Sequence, residues 1–229
     1  MRTQPHRHAG FTLIEVLVAI TVMALMSLMA WRGLDGMLRS QSGLQSRADE
    51  VRTLQAGLAQ WQTDLDQMAE LNDKPSWLWD GKVLRLTRRA NASEEAIQVV
   101  AWTWRSDAGN PAGGDWQRWQ SAPLTSQAAW RQAWGTAEQW SQSPNDDSRA
   151  GQVQIHPLSG WQIFVHRGGS WANPLSSDVV AVGNTNAPTA KPGTPPDGVR
   201  LILSLPQGPA GAGPLTLDWI RPTLSGGAP

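Results

Sequence analysis

Apolar positions along the chain fall into two regimes. From Phe11 to Ala30 they are nearly continuous, and from Leu34 they recur every three or four residues, at Leu34, Leu38, Leu44, Ala48, Val51, Leu54, Leu58, Trp61, Leu65 and Met68. About 20 apolar residues span the roughly 30 Å hydrocarbon layer of a bilayer, so the first regime predicts a transmembrane helix. The second predicts an amphipathic helix, with Arg47, Asp49, Glu50, Arg52, Gln55 and Asp64 mostly off the apolar stripe. No proline occurs between Pro5 and Pro75, so the two join into one helix from about Phe11 to about Leu71, roughly 90 Å long, half in the membrane and half packed on a domain. Gly33, Gly36 and Gly43 each cost about 1 kcal/mol against alanine and predict a bend or softer turn just beyond the membrane. Trp31 stands where an indole belongs at a membrane interface.

After Asn72-Asp73-Lys74-Pro75 the period changes. Strands are expected over 82–88 and 96–105, then a turn-rich loop over 106–115 and a return strand over 116–120. Trp130, Trp134, Ala137 and Trp140 at helical spacing, with Ser126 as cap, predict a short helix over 126–142. Strands follow at 153–155, 160–166, 179–182, 199–205 and 215–220, separated by an irregular proline-rich loop over 184–197 and a glycine-proline connection over 207–214. Residues 225–229 have nothing to bury and read as a disordered tail. The fold class is α+β: a long N-terminal helix packed on antiparallel sheet in one C-terminal domain.

Composition narrows the function. A formal net charge of zero gives no footprint for nucleic acid, and the lack of cysteine removes thiol chemistry and lipid acylation while leaving the redox compartment undecided. His6 and His8 lie in the first ten residues, and His156 and His166 have no nucleophile elbow or metal-ligand spacing nearby. Asp64 and Asp66 are two apart on a helix and face different ways, and Asp146-Asp147 reads as a solvated turn. No phosphate-cradling loop occurs, so neither an enzyme nor a cofactor or metal is expected. Fourteen tryptophans beside two phenylalanines and no tyrosine read chiefly as core filling, with Trp102 and Trp104 on one strand face. Trp116, Trp119 and Trp171, beside loops, are the candidate interaction surface.

The remaining anomaly is Glu15, the one ionisable residue in the apolar run. A carboxylate in a membrane segment costs about 2.5–3.5 kcal/mol on insertion scales and needs a partner. The run is too long for a secretory signal, whose apolar region is about 7–15 residues, and Leu28-Met29-Ala30 offers a poor cleavage site. An uncleaved anchor stays open, but it explains neither Glu15 nor the glycine just before the run.

Gly10-Phe11-Thr12-Leu13-Ile14-Glu15-Val16-Leu17-Val18-Ala19-Ile20 resembles the class III signal of type IV prepilins and type II secretion pseudopilins. The resemblance implies cleavage between Gly10 and Phe11 by a prepilin peptidase, N-methylation of Phe11 by the same enzyme, and pairing of Glu15 with the N-terminal amine of a neighbouring subunit. Residues 1–10 would be the leader, 11–31 the transmembrane assembly helix, 32–71 its periplasmic continuation and 72–224 the periplasmic pseudopilin domain. Ala30-Trp31-Arg32-Gly33-Leu34-Asp35-Gly36-Met37-Leu38 and, patchily, Leu84-Arg85-Leu86, Trp104, Gly160 to Val165, Trp171 and Val199 to Leu203 resemble the J-type minor pseudopilins (the GspJ or PulJ family). That subgroup implies a structural subunit at the tip of a short pseudopilus. Its partners would be the I, K and H minor pseudopilins, the major pseudopilin and the inner-membrane secretion platform. Arg2 and Arg7 before the run nearly balance Arg32 and Arg39 after it, so the inner-membrane orientation with a periplasmic domain rests on the resemblance. The alternatives are a type IV pilus minor pilin and, in another class, a signal-anchored periplasmic module binding a carbohydrate or peptide.

Overall fold

A computed structural model of the protein describes residues 11–71, 73–90, 96–107, 109–175, 193–208 and 211–222. The leader, the strand expected at 179–182, most of the 184–197 loop and the 225–229 tail fall outside the described residues. The chain divides into two compact units at Ala48/Asp49. The long helix, α1, runs from Leu13 to Asp66 and contributes to both.

In the first unit α1 passes through Gly33, Gly36 and Gly43 as unbroken helix where a softer turn is expected. No atom outside the local helix backbone lies within 4 Å of where a Cβ would stand at any of the three. Leu34, Leu38 and Leu44 are exposed in the single chain, so the apolar stripe begins to pack only with Leu54. The helix also stops short of the expected Leu71. Beyond Asp66 the backbone turns to strand partners: Ala69 N–H donates to the Thr87 carbonyl at 2.9 Å, and Met68 bridges Arg88.

The second unit holds two antiparallel sheets. The first contains β1 (Trp77–Trp79), β2 (Val83–Arg89), β3 (Ile97–Asp107), β4 (Asn110–Gln120) and β5 (Gln152–Leu158), in that order. Helices α2 (Gln127–Gln142) and α3 (Asp146–Arg149) come between β4 and β5. The second sheet is built from β6 (Gly160–Arg167), β7 (Ser170–Ala172), β8 (Gly198–Gly208) and β9 (Gly211–Ile220), in the spatial order β7-β6-β8-β9. This is the expected α+β architecture, a long N-terminal helix with antiparallel sheets in a C-terminal domain.

Period-two alternation explains why β2 is buried on both faces. Val83 joins Val99, Ala101 and Trp119 under Trp130, Ala133, Ala137 and Trp140 of α2. Leu84 and Leu86, pointing the other way, join Val100, Trp102 and Trp116 against Leu54, Trp61 and Leu65 of α1 and against Ile163, Val165, Val199, Leu201 and Leu203 of the second sheet. α2 thus covers one face of the first sheet, and the last turns of α1 and the second sheet pack together on the other. Ser126 caps α2 as its sequence predicts, its hydroxyl accepting from Ala129 N–H at 3.2 Å.

Two expected loops are mostly strand. β3 and β4 stay paired out to Ser106 with Gly114 and Asp107 with Asn110, across a bulge. A Cβ at Gly114 would stand 2.2 Å from the Arg105 carbonyl oxygen, so glycine here permits a close backbone approach and is not a chain break. β8 and β9 likewise pair out to Gly208 and Gly211, with Gly211 and Gly213 at φ of 118° and 100°. β1, β7 and α3, of 3, 3 and 4 residues, were too short to show a period.

Candidate functional site

The N-terminal part of α1 is built as an apolar surface with one charge. Thr12 provides the first carbonyl, accepting from Glu15 N–H at 3.1 Å and Val16 N–H at 3.3 Å. Phe11, Leu13 and Ile14 are 82%, 84% and 70% exposed in the single chain. Two of the three hydroxyls inside the run are satisfied locally: Thr21 donates to the Leu17 carbonyl and Ser27 to the Met23 carbonyl, each at 2.8 Å. Glu15, the one ionisable residue of the run, is exposed in the first turn of α1 with no hydrogen bond or ion pair to any described residue. The helix is long and apolar enough to cross a membrane, and a carboxylate near its start is costly there without a partner.

The three tryptophans proposed as an interaction surface are not brought together. Trp116 is fully buried, its ring 4.7 Å from Trp102 and 6.2 Å from Trp61. Trp119, 5% exposed, faces the opposite side of β4 and lies under α2, 6.5 Å from Trp140. Their neighbouring loops are covered by α1 and α2, so proximity to turn residues misplaced both at the surface. Trp171 alone stays half-exposed, but it belongs to the second sheet, stacked under the Arg200 guanidinium at 4.5 Å and beside His166 at 5.3 Å. Core filling by tryptophan holds for Trp102, fully buried, with Trp104 partly buried against the same cluster.

A polar constellation that sequence reasoning missed lies at the other end of α1. Asp64, placed off the stripe by sequence, is completely buried. Arg118 grips it with both prongs, Nε to Oδ2 at 2.7 Å and Nη2 to Oδ1 at 2.9 Å. Trp102 Nε1–H donates to Oδ2 and Gln60 Nε2 to Oδ1, each at 2.9 Å. Arg88 stands 3.5 Å away through Nε and is held by Gln67 and Gln98. Burial lowers the Arg88 pKa, and the Asp64 charge opposes that shift. Two residues on, Asp66 reaches the opposite sheet, accepting from Trp219 Nε1–H at 2.7 Å. The two aspartates do face different ways, and each ties α1 to one sheet. The available signal was a charge at helical spacing between Trp61 and Leu65, but only the fold supplies its arginines.

His156 is buried on β5, and desolvation lowers its pKa below 6.5, with Glu50 opposing the shift. The folded state therefore binds this proton less readily than the unfolded chain, so stability is fully present above the unfolded pKa and falls as pH drops through about 6.5. Urea midpoints measured from pH 7.5 to 5.5 are expected to decline for the native chain and to change less for His156→Gln.

Among curated proteins, none matches the chain. The apolar run of α1 and its preceding residues do match a family model: residues 5–31 fit the prokaryotic N-terminal methylation motif. With a helix able to span a bilayer directly behind it, this fits a single-pass membrane anchor, and the N-terminal segment is a class III signal of the type IV pilin-like kind.

Proposed function

We propose that this protein is a J-type minor pseudopilin of a type II secretion system, held in the inner membrane with its C-terminal domain in the periplasm. The observation that carries the reading is the methylation-type segment continuing without a break into a helix whose last turns bury one face against the C-terminal domain. Such a helix can be both membrane anchor and assembly element. After cleavage behind Gly10, the Phe11 amine of one subunit would meet the Glu15 carboxylate of the next, supplying the counter-charge that Glu15 lacks within the chain. The protein would then act by assembly and not by catalysis, joining I, K and H minor pseudopilins and the major pseudopilin in a tip that moves folded proteins across the outer membrane.

Mass spectrometry of the membrane-extracted protein is the direct test. A chain beginning at N-methylated Phe11 is expected, and Gly10→Leu should leave the leader in place; an intact Met1 in the native protein overturns the reading. Co-purification then separates the machines. Recovery of pseudopilins supports the secretion assignment, whereas recovery of pilus subunits alone moves the protein to the type IV pilus as a minor pilin.

A further inference from the structure

A groove of about 630 Å³ runs between α2 and the β4–β5 margin of the first sheet, lined by Trp119, Gln120, Gln132, Thr136, Gly151 and Gln152 among others, and no lining residue is charged. Trp119 is 5% exposed, yet its indole N–H has no partner among the described residues. This N–H is not among the buried unpartnered atoms and opens to solvent at the groove wall. Its pyrrole edge lies against Gly151, where a Cβ would come 3.0 Å from Nε1.

One flanking amide is oriented from behind. Gln152, paired with Trp119 across β4 and β5, accepts from Trp140 Nε1 at 2.8 Å, whereas the Gln120 side chain lies on the other face of β4 with Arg118. An indole only donates, so the Gln152 amide oxygen is fixed toward Trp140 and its Nε2 is left without a partner among the described residues. The Thr136 hydroxyl donates to the Gln132 carbonyl at 2.9 Å and keeps its capacity to accept. The Gln132 side chain is exposed and makes no hydrogen bond to the described residues.

This arrangement presents neutral, positioned donors beside free acceptors in a groove of ligand-site size. Without a fixed cation there is little hold for phosphate, sulfate or carboxylate. Sugar hydroxyl and acetamido oxygens suit the indole and amide N–H groups, and sugar O–H groups suit Thr136 and Gln132. Ala129 and Ala133 keep the α2 wall low, which leaves room for a flat ring. We propose that this groove binds a neutral oligosaccharide. The site is independent of the assembly role of α1.

The test uses the full chain, labelled with ¹⁵N at its indoles and held in phosphocholine micelles so that no detergent sugar competes. It is titrated with chitotetraose and with maltotetraose. The Trp119 indole resonance, identified by its loss in Trp119→Phe, is expected to move saturably with at least one of them. The exposed double variant Gln132→Ala/Thr136→Val, which leaves the core intact, should weaken that binding by about tenfold. The double variant also decides the matter if Trp119→Phe fails to fold. The proposal is overturned if neither sugar moves the resonance, if the double variant binds as tightly as the native chain, or if only sulfate or an uncharged Gly-Ser peptide moves it.

Discussion

Asp64→Ala is expected to destabilise the C-terminal domain by about 3–5 kcal/mol, the range for removing one partner of a buried ion pair. The cost comes from what is left behind. Arg118, 6% exposed, and Arg88, 4% exposed, would lose the one buried carboxylate they meet among the described residues, and the Trp102 indole would lose its acceptor. Asp64→Asn should cost less, because an amide oxygen still accepts from Trp102 or Arg118, but it cannot balance two guanidinium groups. Asp66→Ala provides the control: on the same helix it loses one part-buried hydrogen bond from Trp219, a loss of about 1 kcal/mol. Urea unfolding of the full chain in mild detergent, followed by tryptophan emission, measures all three. Equal losses for Asp64→Ala and Asp66→Ala would remove the special role assigned to Asp64. A further arm asks whether the ions themselves are needed. Asp64→Leu combined with Arg88→Met and Arg118→Met should recover much of the loss, because apolar replacement of a whole buried ionic group is often tolerated.

The parts of this fold legible in sequence are those whose signal is local. Continuous apolarity from Phe11 to Ala30, helical spacing through Trp61 and Leu65, and Ser126 before a tryptophan-spaced helix each need only neighbouring residues. The Trp116 and Trp119 assignments failed because exposure is decided by what covers a strand. Both faces of the first sheet are covered, one by α1 and the second sheet, the other by α2, so an alternating strand offers no outward face to read. Asp64 failed for the same reason. Its partner Arg118 is 54 positions away, and nothing near Asp64 distinguishes it from a solvated helix charge. At the N-terminus the motif is contiguous from Gly10 to Glu15, so the candidate assembly residues were readable without any tertiary structure.

The same helix shows how far the single chain accounts for its own sequence. From Leu54 onward the apolar stripe is buried by strands, while Leu34, Met37, Leu38 and Leu44 stay exposed. Several exposed apolar side chains at helical spacing form a patch of the kind that marks a protein or membrane contact. Under the proposed assembly, neighbouring subunits would cover them.

Glycines on α1 separate the two regimes most sharply, and Gly57→Val is expected to cost about 3 kcal/mol while Gly33→Ala, Gly36→Ala and Gly43→Ala cost nothing or stabilise the helix slightly. At Gly57 a Cβ would stand 2.3 Å from Ile155 Cγ2 and 3.1 Å from Trp116 Cζ3. Ile155 sits on β5 at its bulge, and Trp116 is locked against Trp61 and Trp102. Neither can retreat without disturbing the packed cluster. Helix propensity favours alanine over glycine by about 1 kcal/mol, whereas overpacking opposes it by about 1–3 kcal/mol, so Gly57→Ala should be destabilising on balance. Ile155→Ala makes room, and in a double-mutant cycle it should couple to Gly57→Ala by more than about 0.5 kcal/mol in the favourable direction. Additive losses would show that the close approach of α1 to β5 is not what keeps a glycine at 57. Coupling would fix the point at which an exposed helix begins to commit one face to its own domain.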